Sequence, residues 1–539
     1  MTNSLAAIQN KEKRTGWLRN MRFYEARRIG NSERKMDTQL VNIIFGMKIR
    51  QARIEANLTL AELAAQCDLS PSYMTEVEKG RKYPRADKII KMAAALHKSY
   101  DEMVSITLAP SLADLEATLA SPVLRQIPFE EFGVNTGDLV DLLTRVPDKA
   151  SAFLHAILDV GHQFDLQGEH FVWAMLRSYQ EMHDNHFPEI EEAATQFAQQ
   201  YEFGAALPIR LDALVEIIRD YLGIEIDTHR LDPTGPLGGY RSIFVNGTQP
   251  KLLLNPALPP TQRRFCIARE IGYRVLGLDE RAYTSSPDEV RSFAQVLNDF
   301  KASYFASALL MPRDSMLVDI EDFFAQATWL PARLLAMLTK YEATPEVLIY
   351  RLSELIPRYF GLKLHSLRVQ EAGPRFENDT KDRYRLIKQL NMNRLLLPSG
   401  LALDEHYCRR WLVIRLLREL RTQRTTEPLV VGAQLSEFLG SRDRFLCFGF
   451  AYPLVLQPHT NSSIIVGFRM EPSLPQQMRF ANDPAIPFVT INETCERCPL
   501  TSEQCTLRAT PPTILRAHEQ VTQRQQALNQ LIAQLQAAT

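Results

Sequence analysis

Apolar positions change their period several times along the chain, and each change marks a different kind of element. In "LVNIIFGMKIRQARIEANLTLAELAAQCDLSPSYMTEVEKGRKYP", Ile44, Ile49 and Ile54 stripe a first helix that ends near Asn57. Thr59 caps a second helix, "LAELAAQC", with Glu62 three residues on completing a capping box. Ser70 caps a third, Pro71 takes its first position, and Gly80 stops it. Residues 110–205 stay helical in pattern, with "AFLHAILDVGHQF" and "FPEIEEAATQFAQQYEFG" amphipathic.

From about residue 206 the period alternates. "LDALVEIIRDYLGIEI" is a helix running into a strand, and "YRSIFV" and "PKLLLN" are strands bounded by Gly, Asn and Pro. Two helices follow, "RRFCIAREIGYRVLG" and "NDFKASYFASALLMP". "SLRVQEAGPRFENDTKDRYRLIKQL" reads as a charged loop and helix. "HYCRRWLVIRLLREL" and the strands "EPLVVGAQLSEF", "DRFLCFGFAYPLVL", "SSIIVGFRM" and "PFVTI" then make an α+β pattern. The tail puts Val521, Leu528, Leu531, Ile532 and Leu535 on one helical face, with docking on its own domain favoured over pairing with a twin.

Composition adds three constraints. No apolar run approaches the roughly 18 residues of a membrane-spanning helix, and the N-terminus lacks the apolar centre of a signal peptide. A cytoplasmic protein is expected. Net charge is −1, yet residues 1–38 carry nine Lys/Arg against four Asp/Glu and residues 39–100 carry ten against six. That asymmetry fits a footprint on phosphate.

Short helix, tight turn and short helix form helix-turn-helix geometry, whose second helix enters the major groove by its N-terminal end. "LSPSYMTEVEKGRKYP" resembles the lambda-repressor-like, XRE-type family over about sixty residues. Val77 is then core and Glu78 holds the turn. Ser70, Ser72, Tyr73, Thr75 and Glu76 face DNA, with Thr59 at the cap of the preceding helix. Arg50, Arg53, Lys79, Arg81 and Lys82 are the phosphate candidates. Leu60 stands where that family often has Gln.

The pair "RRFCIAREIGYRVLG" and "NDFKASYFASALLMP" resembles the IrrE/ImmA-type peptidase-like family, whose H-E-x-x-H helix binds zinc with Glu as general base. Those positions here are Arg269, Glu270, Ile271, Gly272 and Tyr273, and the third-ligand position is Asp299. Arg stays protonated and cannot ligate. The expectation is therefore no enzyme, but a cationic cleft suited to a phosphate or carboxylate. In "HDNH", His183 and His186 could chelate, although a solvated helix end is the preferred reading.

"ETCERCPLTSEQC" gathers Cys495, Cys498 and Cys505, three of only seven cysteines. Three local thiolates with one distant fourth suit structural zinc or an iron–sulfur cluster equally in ligand count. Only one C-x-x-C is present, which leans away from a zinc ribbon. Cys67, Cys266 and Cys447 sit in apolar patterns and read as core, whereas Cys408 in "HYCRRW" has polar and basic flanks. His406 could stand in for one thiolate.

Taken together, the reader, "SYQEMHDNHFPEIEEAA", "NDFKASYFASALLMP" and the cysteine-bearing end resemble the short-chain fatty acyl transcriptional regulator family. The resemblance implies a double-stranded DNA operator, a coenzyme A thioester as effector and a [4Fe–4S] cluster on Cys408, Cys495, Cys498 and Cys505. Lys251, Arg269, Tyr273 and Tyr304 are the candidate acyl-CoA contacts, two at the former metal site and two beside it. A homodimer is expected because such readers use two half-sites. The predicted fold is multidomain, mainly α with α+β parts. It has a basic extension (1–38), a lambda-repressor-like helix-turn-helix (39–109) and a helical connector that is a candidate dimerisation layer (110–205). A zincin-like α+β ligand-binding domain (206–365) and a C-terminal α+β metal-binding domain with a helical tail (366–539) complete it. The rivals are a zinc-dependent peptidase that cleaves a repressor, and a phage-type repressor with a structural zinc site.

Overall fold

The computed structural model describes residues 32–105, 131, 168–203, 207–284, 290, 292–372, 383–393, 395, 405–423, 428–457 and 459–537. Most of the basic extension and the connector helix "AFLHAILDVGHQF" lie outside these residues. The chain divides into two compact units, one of Met1–Tyr179 with Glu289–Val296 and one of Gln180–Asp288 with Leu297–Thr539.

In the first unit, α1 (Ser32–Glu55), α2 (Leu60–Gln66), α3 (Pro71–Glu78), α4 (Ala86–Ala95) and α5 (Tyr100–Val104) close around one core of Phe45, Ile49, Leu63, Met74, Val77, Ile89 and Met92. Both predicted caps are made. Thr59 Oγ1 accepts from the Glu62 amide while Glu62 accepts from the Thr59 amide, and Ser70 Oγ accepts from Tyr73 N with Pro71 at the first position. Gly80 has φ +64, the left-handed stop that glycine accommodates. Ile44 and Ile49 are buried as predicted, but Ile54 is 55% exposed. At 100° per residue, each five-residue step turns the helix 140°, so the third Ile leaves the face that Phe45 and Ala52 complete.

Helix α6 (Gly168–Met182) crosses the division between the units in sequence, and the second unit continues with α7 (Pro188–Gln200) and α8 (Leu211–Glu216), the latter ending in a π turn over Ile217–Tyr221. A small sheet follows, with β1 (Glu225–Asp227) parallel and β2 (Ser242–Val245) antiparallel to the central β3 (Lys251–Leu254). Helix α9 (Pro260–Val275) lies against α10 (Phe293–Leu310) where Gly272 removes a side chain. A Cβ there would meet Ala302 O at 2.9 Å and the Phe305 ring at 3.0 Å. That close approach brings Arg269 and Tyr273 up to Asp299.

Helices α11 (Arg313–Phe324), α12 (Pro331–Tyr341) and α13 (Pro345–Phe360) lead into a six-stranded sheet of order β5-β4-β8-β7-β6-β9. Its strands are β4 (Leu364–Ala372), β5 (Arg383–Asn391), β6 (Val430–Phe438), β7 (Arg444–Pro453), β8 (Asn461–Arg469) and β9 (Phe488–Ile491). The sheet is covered on both faces. Leu446, Phe448 and Phe450 of β7 share a core with α11–α13, while Phe445, Cys447 and Ala451 face α14 (Leu412–Leu420).

Three expectations change here. Of the charged "loop and helix" of 366–390, the described residues form β4 and β5, paired antiparallel from His365–Asn391 to Ala372–Arg383, and residues 373–382 lie outside them. Charge misled because β5 is an edge strand with one wet side. The boundary between 365 and 366 also falls inside β4, and α11–α13 and the large sheet bury one common core. Short α15 (Leu474–Gln477) precedes β9, and over its described side chains the last helix, α16 (Thr513–Ala537), stands exposed where docking was favoured: Val521 is 61% and Leu528 48% exposed. The side chains of Leu531, Ile532 and Leu535 lie outside the described residues.

Candidate DNA interface, ligand cleft and cysteine centre

The N-terminus of α3 presents Ser70 and Ser72 fully to the surface and Tyr73, Thr75 and Glu76 partly, on a frame fixed by Met74 and Val77. Thr59, Arg81 and Lys82 are exposed, and Arg50 and Lys79 are half-buried. Lys82 and Lys88 stand over the Tyr73 ring at 4.7 and 4.0 Å, so two cations flank the helix that would read bases. Lys88 was not foreseen. Several predicted contacts have partners within the fold. Arg81 pairs with Glu76 at 3.3 Å on the surface, and Thr75 Oγ1 donates to Pro71 O. Arg53 donates to both oxygens of Glu78, at 2.6 and 2.9 Å, and to Leu58 O. Arg53 thus holds the turn from beneath, and Glu78 does what the sequence suggested.

At the positions expected from the sequence to correspond to H-E-x-x-H and its third ligand, Arg269 donates to Asp299 at 2.5 Å and the Tyr273 hydroxyl donates to the same oxygen at 3.1 Å. Glu270 accepts two hydrogen bonds from Arg281, at 2.5 and 2.8 Å, and the Arg281 guanidinium lies 3.9 Å from the Tyr273 ring centre. Burial, together with Asp299, pushes the Tyr273 phenol up. The constellation is a closed ion-pair network in which cations occupy the place of a metal. Lys251 pairs with Glu225 at 2.8 Å on the small sheet.

Tyr304 alone of the four acyl-CoA candidates lines a cavity of this unit, about 580 Å³ with the open solvent at its mouth included. Phe265, Phe300, Tyr350, Ser307, Glu354, Ser366 and Lys388 line it too. The Tyr304 hydroxyl donates to Glu191 at 2.8 Å and meets His186 Nδ1 at 3.3 Å. His186 is buried rather than solvated, and burial lowers its pKa. Behind it, Arg351 donates to Glu191 at 2.6 and 3.0 Å and to Glu354 at 3.0 Å. Burial pushes the Glu354 carboxyl up to about 7 against the pull of Arg351. Burial also opposes ionisation of Glu191, but Arg351 outweighs it and holds that carboxyl below its usual range.

Cys408, Cys495, Cys498 and Cys505 all line one smaller cavity of about 280 Å³ counted to its mouth, with Arg410, Asn492 and Arg508. Residues 406–408 and 493–495 form a short antiparallel bridge: Tyr407 faces Thr494, Cys408 N donates to Glu493 O and Cys495 N to His406 O. This bridge brings Cys408 to the three-cysteine loop. Amides point at two sulfurs, Asn492 N to Cys408 Sγ at 3.5 Å and Ala509 N to Cys495 Sγ at 3.4 Å. Arg508 ties the loop by donating to the carbonyls of Cys495, Cys498 and Leu500. Burial pushes the Cys408 thiol up to about 12 and raises Cys498 as well, so thiolates here need a cation to form. Among the described residues no three His, Cys, Asp or Glu side chains converge on a single-ion position. His406 is held by Glu496 at 2.8 Å.

A helix-turn-helix family profile matches residues 49–103, and an IrrE N-terminal-like domain profile matches residues 219–353. The control protein C.BamHI of Bacillus amyloliquefaciens is 31% identical over 71 residues, spanning 13% of this chain and 88% of that protein. A solved Mycobacterium tuberculosis transcriptional regulator aligns with a TM-score of 0.43 at 20% identity, over 63% of this chain and 93% of that one. No helix among the described residues is long and apolar enough to cross a membrane. The chain belongs to the XRE-type helix-turn-helix family through its N-terminal reader, and it carries an IrrE N-terminal-like domain behind it.

Proposed function

We propose that this protein is a cytoplasmic transcriptional regulator of short-chain acyl-CoA metabolism. It binds an operator as a homodimer, takes a coenzyme A thioester as effector and carries a [4Fe–4S] cluster. The observation that carries the regulatory reading is α3, capped by Ser70 and flanked by Lys82 and Lys88, with its polar N-terminal end exposed. The cavity lined by Tyr304, Phe265, Phe300 and Lys388 supports a small-molecule effector, since it combines an apolar body with a few polar groups. An effector acts only through different affinity for the DNA-competent and DNA-incompetent states.

Four thiols around one cavity supply the ligand count of a [4Fe–4S] cluster. Cys408, Cys495, Cys498 and Cys505 would hold it, with the amides of Asn492 and Ala509 tuning the sulfurs. When bound, a cluster supplies one-electron redox chemistry. The zinc-peptidase reading draws on the IrrE N-terminal-like match, but Glu270 is engaged by Arg281 and two ligand positions hold Arg269 and Tyr273. Anaerobic purification with visible spectroscopy, metal assay and mass spectrometry of released small molecules tests the cofactor and effector together, and gel shift tests the DNA. Iron with a broad visible band, a released thioester and a specific shift are expected. Zinc in the cleft, with proteolysis abolished by Glu270→Gln, would replace this reading by the peptidase.

A further inference from the structure

Arg368 of β4 and Lys388 of β5 are Cα partners across an antiparallel pair, so both side chains stand on the sheet face that α13 covers. Like charges placed directly opposite repel. The carboxylate that answers them is Glu346, in the first turn of α13. It accepts from Arg368 at 2.6 Å and also pairs with Arg241 at 3.5 Å. Burial works against its ionisation, but Arg368, Arg241 and Lys388 together hold it below the usual carboxylate range. Three cations therefore share this acid.

The Lys388 ammonium rests 4.1 Å from the Tyr350 ring centre, and both residues line the 580 Å³ cavity. Lys388 is exposed, so a ligand entering that mouth reaches it directly. The hydroxyls of Tyr350 and Tyr452 are buried beside Glu346 and Ser462. Three cations around Glu346, with Glu354 the acid that lines the cavity, leave positive charge that an anion relieves.

We propose that Lys388 and Tyr350, backed by Arg368 and Arg241 on Glu346, form an anion site at this mouth, binding the phosphate or carboxylate of a small acidic metabolite. The ligand's body then extends along Phe265 and Phe300 towards Tyr304. The assignment rests on reading this unit as a ligand-binding domain, and it moves the anionic contact away from Arg269, which Asp299 already neutralises.

Isothermal titration of the full chain with inorganic pyrophosphate, propionate and propionyl-CoA tests it. Either pyrophosphate or propionate should bind the wild type, and which one binds separates phosphate from carboxylate recognition. Lys388→Met should weaken that binding about tenfold or more at unchanged melting temperature, and Lys388→Arg should restore most of it. Failure of both simple anions to bind the wild type, or unchanged affinity in Lys388→Met, overturns the site. Propionyl-CoA bound equally by wild type and Lys388→Met would sink the anion site and leave the thioester effector standing. Pyrophosphate lost on Lys388→Met, with no propionyl-CoA binding to either, would keep the site and sink the thioester.

Discussion

Arg269 donates to Asp299 at 2.5 Å, at the position where the peptidase frame would set a metal between them. A guanidinium is a fixed cation that needs no deprotonated ligands, so it can hold Asp299 and Tyr273 in place permanently. The helix crossing at Gly272 survives with an internal charge at its centre.

Breaking this pair strands a charge. Arg269→Met leaves Asp299 without its cation and should lower stability by about 3 kcal/mol. Arg269→Met with Asp299→Asn should recover most of that loss. Thermal unfolding of the two variants measures it, and equal destabilisation of single and double variants would remove the pair from the core network.

The two arginines Arg53 and Arg81 look alike in sequence but differ in role. Arg81→Ala should weaken binding to all DNA sequences and reduce the salt slope by about one. Arg53→Ala breaks a bidentate contact with Glu78, whose side chain is 6% exposed. It should lower the melting temperature of the reader while leaving the salt slope of the remaining folded protein intact. Gel shift across a salt series, beside calorimetry, separates the two.

That contrast shows what the chain discloses by itself. Caps and turns are local, so Thr59–Glu62 and Ser70–Pro71 were legible, and with them the reader. Ion pairs are not local: nothing near Arg53 announces Glu78, and nothing near Arg269 announces that its partner is the former ligand position. The cationic group of Arg241, Arg368 and Lys388 was missed for the same reason, since β4 and β5 read as loop and helix and their register was invisible. Alternation in "DRYRLIKQL" was the available signal, masked by charge on the wet face. Cys408 was reached through a resemblance, and the bridge of Tyr407 to Thr494 supplies its physical basis.

Cys495→Ser should abolish the visible absorption and bound iron of the anaerobically purified protein. Cys447→Ser should leave both unchanged, because Cys447 lies in the sheet core against His365. Full iron content in Cys495→Ser would exclude that residue as a ligand.

His365 gives the large sheet a sensitivity to acid. Its ring is buried between Asn393, at 3.2 Å from Nδ1, and Cys447 Sγ, at 3.9 Å from Nε2. A Cβ on Gly467 would come within 2.4 Å of it, so the ring has no route to solvent without moving the strand. Burial lowers its pKa from 6.5 to about 4, with Asn393 pulling the other way. The unfolded chain therefore takes up a proton near pH 6.5 while the folded one resists until about pH 4. Stability from this group is complete above pH 6.5 and is lost as pH falls towards 4, by up to about 3 kcal/mol. Melting temperature should drop across that window, and His365→Gln should flatten the dependence even though its packing loss lowers stability at pH 7. An unchanged slope in His365→Gln would assign the acid sensitivity to other groups.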